Sequence, residues 1–270
     1  MLKLTSIKSE KIWGYELWIA STHPNGIQEN FKDFVGGDYP LLIKIIQAND
    51  TLSVQVHPDD AKAQLYENCR GKTECWYVLD AEKDANLVYG FNGVYTESEI
   101  RKAISAESPQ NLLRFVKVEK GDFIYIPAGT VHAIGKGLRL LEVQQSSDIT
   151  YRLYDWGRGR ECQVEKAISV IKSDVFRNVT KFPGAFSCPY FTLEEIIVED
   201  FYSSIVDKYD GKAIPEDYVL LFVENGEGIL NGESVKAEEI YALAPGEEIN
   251  AKGDLAFIKI TPAGPKHRPL

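Results

Sequence analysis

The feature that most constrains the fold is a long series of short segments rich in Val, Ile, Leu, Tyr and Phe, separated by Gly, Pro and Asn. Runs of about four to eight such residues between turn residues are typical of β-strands. The predicted strands cover residues 41–46, 52–57, 74–79, 112–118, 122–126, 138–144, 191–198, 218–223 and 255–260. The sequence therefore predicts a mainly β fold, with antiparallel strands in a sandwich or barrel.

Helical signals are few. Thr96-Glu-Ser-Glu99 fits a capping box ahead of the segment IRKAISA. Asp59 and Asp60 are suited to cap a short helix over residues 61–66, and residues 163–171 have helix-like apolar spacing. We expect a few short helices on a β framework.

An internal repeat predicts two similar β units. Residues 122–132, DFIYIPAGTVH, align without gaps to residues 239–249, EIYALAPGEEI, with Gly129 opposite Gly246 and His132 opposite Ile249. Residues 76–82 match residues 220–228 more weakly. The repeat predicts a duplicated β-barrel in which only the first copy kept its polar residues. We place the boundary near residues 173–185, which gives domains 1–175 and 176–270.

Composition excludes several classes of partner. The chain has 270 residues, of which 44% are hydrophobic and 26% charged, as in ordinary globular proteins. Its net charge of −10 disfavours binding to nucleic acid or to an anionic membrane. No apolar run approaches the ~20 residues of a membrane helix, and the first residues lack a signal-peptide core. With four scattered cysteines and no CxxC pair, we expect reduced thiols and a cytoplasmic location.

The segment VQVH, residues 54–57, has an unusual polar face for a strand. Side chains alternate along a β-strand, so Val54 and Val56 share one face while Gln55 and His57 share the other. An amide and an imidazole two residues apart can both reach one ion. Taken alone, either residue is more often an ordinary strand residue than a ligand.

A second histidine lies in a patterned loop. His132 ends GDFIYIPAGTVH, whose G-x5-P-x-G-x2-H spacing resembles the second metal motif of the cupin superfamily, the double-stranded β-helix barrels. Gln55 and His57 stand where that superfamily usually has two histidines, and Glu74 opens the next strand. Two imidazoles, a carboxylate and an amide oxygen suit a borderline divalent ion such as zinc. We therefore predict a metal site that has room for a water or a substrate.

Five motifs then resemble one family in sequence and order between residues 11 and 158. They are KIWGYELW, LSVQVHPDD, GKTECWYVLDA, YIPAGTVHAIGKG and LLEVQQSSDITYRLYDWGR. The chain resembles the type I phosphomannose isomerases in their short bacterial and archaeal form. The resemblance implies two cupin-type jelly-roll barrels, with one Zn²⁺ per chain held by Gln55, His57, Glu74 and His132 in the first. It also implies a phosphosugar substrate, either mannose 6-phosphate or fructose 6-phosphate.

The resemblance further implies that Arg152, Lys72, Glu142 and Asp148 belong to the active site. Interconversion of an aldose and a ketose phosphate through an enediolate requires a base near neutral pH. Glu142 and Lys72 are both candidates, and the sequence does not choose between them. The planar guanidinium of Arg152 suits a phosphate dianion, whereas its alternative role is a salt bridge with a nearby aspartate.

Two other classes of function compete with an isomerase. A non-catalytic cupin that binds phosphosugar would have no need of Lys72, Glu142 and Arg152 together, which argues against it. An iron-dependent cupin oxygenase is disfavoured by the amide ligand Gln55. The second barrel is expected either to stabilise the first or to provide the surface of a homodimer.

Overall fold

The computed structural model describes residues 1–172, 178–207 and 213–264, and within them the chain is mainly β. The strands are β1 Leu2–Lys3, β2 Ile7–Lys11, β3 Gly14–Ala20, β4 Leu41–Ala48, β5 Val54–Val56, β6 Glu74–Ala81, β7 Asn86–Phe91, β8 Leu113–Lys117, β9 Asp122–Ile126, β10 His132–Ile134, β11 Leu138–Gln145, β12 Tyr151–Tyr154, β13 Thr180–Lys181, β14 Ala185–Ser187, β15 Phe191–Val198, β16 Phe201–Ile205, β17 Val219–Leu230, β18 Glu233–Lys236, β19 Ile240–Leu243 and β20 Glu248–Pro262. The helices are α1 Glu29–Val35, α2 Asp60–Glu67, α3 Glu97–Ser105 and α4 Val164–Val170.

All nine predicted strands are present, although some bounds differ. The strands β17 and β20 are twelve and fifteen residues long, well beyond the apolar segments at 218–223 and 255–260. Their extensions contain many partly or fully exposed residues, so no continuous apolar run marks them. Several strands were missed, among them β3, β7 and β12. In β7 Gly90 has a positive φ, which is untypical of a regular strand.

The three predicted helices are also confirmed. Thr96 forms a reciprocal capping box with Glu99 at the start of α3, and the Asp59 side chain accepts a hydrogen bond from the Lys62 backbone at the start of α2. The helix α1 was not predicted. It has no side-chain cap at its start and ends at Gly36, which adopts a left-handed conformation.

Contacts between Cα atoms divide the chain into two compact units. We call residues 8–17 and 44–182 the site unit, and residues 1–7, 18–43 and 183–270 the C-terminal unit. The predicted boundary between residues 175 and 176 lies outside the described residues. The assignment of two N-terminal segments to the C-terminal unit was not predicted, because local sequence carries no information about such distant pairing.

The site unit is formed by strands of two sheets. The five-stranded sheet has the order β12-β5-β10-β7-β8, and the seven-stranded sheet has the order β13-β9-β6-β11-β4-β3-β2. The apolar core of the unit includes Trp76, Val78, Ile124, Ile126 and Leu140, all less than 2% exposed. Glu74 and Glu142 alternate in step with the core residues of their strands and therefore share their face.

The C-terminal unit contains an eight-stranded antiparallel sheet. Its main order is β1-β19-β17-β20-β15-β14, with β16 paired to β20 and β18 paired to β17. Its core includes Val223, Tyr241, Leu243 and Phe257, none of which is exposed.

The sequence repeat corresponds to a similar local structure in the two units. In the site unit β9 pairs with β6, and a turn at Gly129 leads on to β10. In the C-terminal unit β19 pairs with β17, and a turn at Gly246 leads into β20. Both glycines have positive φ values, of 93° and 79°, which explains why the two aligned segments share a glycine there.

No helix of the described chain has the length and apolar character needed to cross a bilayer. The four cysteines form no disulfide.

Candidate metal centre and surrounding site

The site unit contains a buried group formed by His57, Glu74 and His132. His57 Nε2 lies 3.5 Å from Glu74 Oε2, and His132 Nε2 lies 3.4 Å from Glu74 Oε1. Metal–ligand bonds of about 2.1 Å place tetrahedral ligands about 3.4 Å apart. One ligand atom from each of the three residues lies within 4.8 Å of the others. The spacing therefore fits a single divalent ion.

Strand pairing and one tight turn position the group. His132 is the first residue of β10 and lies directly opposite Gln55 in β5. In the turn before β10, the Gly129 backbone N–H donates to the His57 carbonyl at 2.9 Å. Glu74 begins β6 in the other sheet. The group thus forms where two strand ends meet, which explains why its members are far apart in sequence.

Both imidazoles are held in the neutral form that a metal ligand requires. Burial lowers the pKa of His132 to about 4, and burial together with the positive charge of Lys72 lowers the pKa of His57 well below its usual value. His132 Nδ1 lies 2.9 Å from the Thr130 carbonyl. That contact requires the proton on Nδ1 and leaves the lone pair on Nε2 facing Glu74.

The surroundings of Glu74 favour a cation. The side chain is fully buried, and burial raises the pKa of Glu74 to about 7 against the opposing effect of Lys72. Among the described residues, neither carboxylate oxygen has a hydrogen bond of normal geometry. Lys72 Nζ lies 3.2 Å from Oε2 and compensates part of the charge, and a metal cation would compensate the rest of the cost of burying this carboxylate. The donor set of two neutral imidazoles and one carboxylate therefore fits a metal ion such as zinc.

Gln55 lies at the same group. Its Nε2 is 3.2 Å from His132 Nε2, so the amide reaches the ligand atom of the second histidine. Rotation of the amide by half a turn would place Oε1 in that position, where it could serve as a fourth ligand. The structure thus brings together all four residues that the sequence predicted for the metal.

Lys72 and Glu142 lie beside the group and are also buried. Lys72 Nζ is 3.2 Å from Glu74 Oε2. Glu142 Oε2 is 3.1 Å from Lys44 Nζ, and its Oε1 accepts a hydrogen bond of 3.0 Å from Trp76 Nε1. Burial alone would raise the pKa of Glu142, but Lys44 and then Lys72 outweigh it and lower the pKa to about 2. Glu142 is therefore ionised throughout the neutral range.

Arg152 is half-buried and lies in β12 directly opposite Gln55. Its Nη1 donates to the Glu161 carbonyl at 2.6 Å, whereas its buried Nε has no hydrogen-bond partner among the described residues. Asp155, one of the aspartates considered as its salt-bridge partner, pairs instead with Arg158 and Arg160. The guanidinium thus retains a donor for an anion.

Asp148 is not brought into this group by any described contact. It is exposed and lines a surface cavity together with Glu67, Cys69, Tyr151 and Lys166. Asp148 follows the end of β11 at Gln145 and is not part of the strand that holds Glu142. Its catalytic role remains a prediction.

Lys44, which was not among the predicted site residues, lies beside Glu142. Lys44 is 4% exposed and stands in the middle of β4, whose seven other residues are six apolar side chains and Gln47. A lone lysine in such a strand is the signal that could have identified it, since lysine is seldom buried without a partner. Its partner Glu142 is about a hundred residues away in sequence, so the pair itself could not be predicted.

A hydrogen-bond network that supports the Lys72 loop was also missed. The Gln145 side chain accepts from the Thr73 backbone at 2.8 Å and donates to Asp60 Oδ1 at 3.0 Å. Asp60 Oδ1 also accepts from the Gly71 backbone at 2.9 Å. A Cβ on Gly71 would lie 2.5 Å from the Asp60 backbone nitrogen, so only glycine fits there. These contacts fix the backbone on both sides of Lys72.

The fold and the site define this chain as a mainly β protein with a buried centre of two histidines and one carboxylate suited to a divalent metal. Residues 20–90 match the model of the catalytic domain of type I phosphomannose isomerase. The chain belongs to the type I phosphomannose isomerase family, as the motifs of its sequence predicted.

Two relatives and one solved structure illustrate this membership. The chain is 41% identical over 237 residues to mannose-6-phosphate isomerase ManA of Bacillus subtilis, and the aligned region covers 82% of this chain and 71% of that protein. It is 36% identical over 263 residues to mannose-6-phosphate isomerase of Streptococcus mutans, covering 87% and 81% respectively. The crystal structure of the mannose 6-phosphate isomerase from Bacillus subtilis superposes with a TM-score of 0.82 at 27% identity, covering 96% of this chain and 98% of that one.

Proposed function

We propose that the protein is a metal-dependent aldose–ketose isomerase that interconverts mannose 6-phosphate and fructose 6-phosphate. The observation that carries the proposal is the buried His57–Glu74–His132 group with Lys72 in contact with it. The names of the two relatives and the solved structure give mannose 6-phosphate as a substrate.

We propose zinc as the ion, held by Gln55, His57, Glu74 and His132, at one ion per chain. Neutral imidazoles and a carboxylate are preferred zinc ligands, and three or four protein ligands leave a position for substrate or water. When bound, such an ion polarises the substrate carbonyl and stabilises negative charge on its oxygen. The absence of a histidine at position 55 argues against the iron oxygenase.

The remaining residues have roles in binding and proton transfer. The open donor of Arg152 supports a role in binding the phosphate dianion, since guanidinium groups bind phosphate well. The proton must move between C1 and C2 of the sugar, and Lys72 and Glu142 are the two candidates to carry it. Glu142 is ionised and ready to accept a proton, but its low pKa makes it a weak base. Lys72 reaches the metal group directly.

Two experiments separate these proton carriers. Exchange of the C2 proton of mannose 6-phosphate with solvent deuterium is measured in Lys72→Met and Glu142→Gln, alongside the dissociation constant of fructose 6-phosphate. The variant that loses exchange by about a hundredfold or more while still binding the sugar identifies the carrier. If both variants retain exchange, neither residue carries the proton.

We also propose two cupin-type jelly-roll barrels, within residues 1–175 and 176–270, of which only the first binds metal. The paired strands around Gly129 and Gly246 support a duplicated barrel. A cytoplasmic location agrees with four cysteines that form no disulfide. The homodimer remains a prediction that sedimentation equilibrium would test.

The isomerase proposal is tested by a coupled assay together with metal analysis. We expect about one zinc per chain, loss of turnover after chelation and recovery when zinc is restored. His57→Ala should lose both the metal and activity. His23→Ala is the matched control, because His23 caps a 3-10 turn in the C-terminal unit and should leave both unchanged. Stoichiometric zinc without turnover of either sugar phosphate would favour the non-catalytic phosphosugar-binding cupin instead.

A further inference from the structure

Gln144 lies next to the metal group but is neither a proposed metal ligand nor a candidate to carry the proton. It is fully buried in β11, directly opposite Glu74 of β6. Residues directly opposite in an antiparallel pair have Cβ atoms about 5 Å apart on the same face. Gln144 is also two residues beyond Glu142 and therefore shares the face of that carboxylate. Its side chain thus extends alongside Glu74.

The orientation of the Gln144 amide is fixed by its neighbours. Its Nε2 donates to the Gln145 carbonyl at 3.0 Å and to the Ser147 carbonyl. Both partners are acceptors, so the nitrogen and not the oxygen must face them. The Oε1 atom consequently points away from this turn, and among the described residues it has no hydrogen-bond partner.

A buried amide oxygen without a donor destabilises the folded protein, because its hydrogen bonds to water are lost and not replaced. The oxygens of Glu74, on the same strand face, also lack hydrogen bonds of normal geometry within the described chain. The carboxylate carries a charge that a cation neutralises, whereas the amide oxygen is neutral and is best matched by an O–H donor. A sugar phosphate brings several hydroxyl groups to this site.

We propose that Gln144 Oε1 accepts a hydrogen bond from a sugar hydroxyl, on C3 or C4, and that Gln144 is therefore a specificity residue for polyhydroxylated substrates. This inference rests on the proposed isomerase function. Its competitor is a purely structural role, in which the two Nε2 hydrogen bonds hold the turn after β11 and Oε1 contributes nothing to binding. The two roles differ in whether the effect of the substitution depends on which hydroxyl the ligand carries.

The experiment couples a protein variant to ligand variants. The zinc-loaded wild type and Gln144→Met are titrated calorimetrically with fructose 6-phosphate and with its 3-deoxy and 4-deoxy analogues, and kcat/KM is measured for each. In the wild type, one of the two analogues should bind about tenfold more weakly than fructose 6-phosphate. Gln144→Met should bind fructose 6-phosphate more weakly than the wild type does, by about the same factor. Its affinity for the weaker-binding deoxy analogue should equal that of the wild type.

The matched control is Gln145→Met, because Gln145 is the neighbouring residue and supports the Lys72 loop through Thr73 and Asp60. It should weaken all three ligands by a common factor and keep the full discrimination against the deoxy analogue. Zinc content and melting temperature are recorded for each variant, and we expect Gln144→Met to keep about one zinc per chain.

Two outcomes would overturn the inference. In the first, Gln144→Met discriminates against the deoxy analogue as strongly as the wild type does, which would assign Gln144 a structural role. In the second, the wild type binds all three ligands equally, which would show that neither hydroxyl is recognised. Binding that follows the expected pattern without turnover would contradict the isomerase proposal alone, because the titration does not depend on catalysis. Turnover of fructose 6-phosphate without the expected coupling would contradict only the role of Gln144.

Discussion

The interiors of the two units differ in what their strands bury. The site unit buries six charged side chains and two histidines, which are Lys44, His57, Lys72, Glu74, Asp122, His132, Glu142 and Asp155. Among the described residues of the C-terminal unit, every lysine, arginine, aspartate, glutamate and histidine is at least partly exposed. Its core is apolar, as Val223, Leu243 and Phe257 illustrate.

This difference separates stability from function. Apolar burial stabilises a fold in proportion to the area removed from water, whereas a buried charge costs free energy unless a partner or an ion compensates it. A mainly β unit is able to fold without buried charges, as the C-terminal unit does. The buried charges of the site unit are therefore best explained by a function of the site and not by the stability of the fold.

The largest effect is expected from Glu74→Gln. The substitution keeps the shape of the side chain but removes the charge that would neutralise a metal ion between His57 and His132. We expect metal affinity to fall by at least about a hundredfold and isomerase activity to fall with it. Metal analysis after dialysis and the coupled assay measure both quantities. Glu239→Gln, in the C-terminal unit, is the control that should change neither.

A large effect on stability alone is expected from Phe257→Ala. Phe257 is fully buried in β20 between Ile196 of β15 and Val223 of β17. The cavity should lower the free energy of unfolding by about 3–5 kcal/mol. Urea denaturation measures this loss, and the folded protein should keep about one zinc per chain. A variant that loses zinc while remaining folded would contradict the claim that the core of the C-terminal unit affects stability alone.

Lys44→Met should destabilise the protein somewhat less, by about 3 kcal/mol, because it leaves Glu142 buried with one compensating charge fewer. Lys44→Met combined with Glu142→Gln should recover most of this loss, since no unpaired charge then remains. Lys3→Met removes the exposed partner of Glu239 and should cost less than about 1 kcal/mol. Equal effects of Lys44→Met and Lys3→Met in urea denaturation would contradict a role for burial.

The smallest effect is expected from Asp155→Asn and depends on pH. Burial alone would raise the pKa of Asp155, but hydrogen bonds and charges from Arg160 and Arg158 lower it below its usual value. Since the folded-state pKa is lowered, this carboxylate stabilises the fold above the unfolded pKa of about 3.9, and the contribution is lost as pH falls through the folded value. At pH 7 Asp155→Asn should cost about 1–2 kcal/mol.

Measurements of stability at low pH test the direction of this pH dependence. The stability difference between wild type and Asp155→Asn should shrink as the pH falls below about 4. Urea denaturation at several pH values records this difference. A difference that stays constant down to the lowest pH would show that the carboxylate charge of Asp155 does not contribute.

Much of the fold was predictable from local sequence. Strands such as β9 and β15 follow directly from short apolar runs between turn residues, and the capping box at Thr96 fixes the start of α3. The strand β12 and the extensions of β17 and β20 were not predictable, because their burial is set by distant partners. Pairing of β1 with β19 joins residues about 240 positions apart, and no local pattern encodes it.

The candidate site shows the same division. The sequence by itself determined which residue types were available: the alternation of VQVH directed Gln55 and His57 to one face, and the glycine turn carried His132 to a strand end. Only the tertiary structure decided that Lys44 faces Glu142, that Gln144 lies opposite Glu74 and that Asp148 is exposed. The physical reason is that side-chain direction follows from local backbone geometry, whereas the partner of a buried charge depends on strand register across the whole unit.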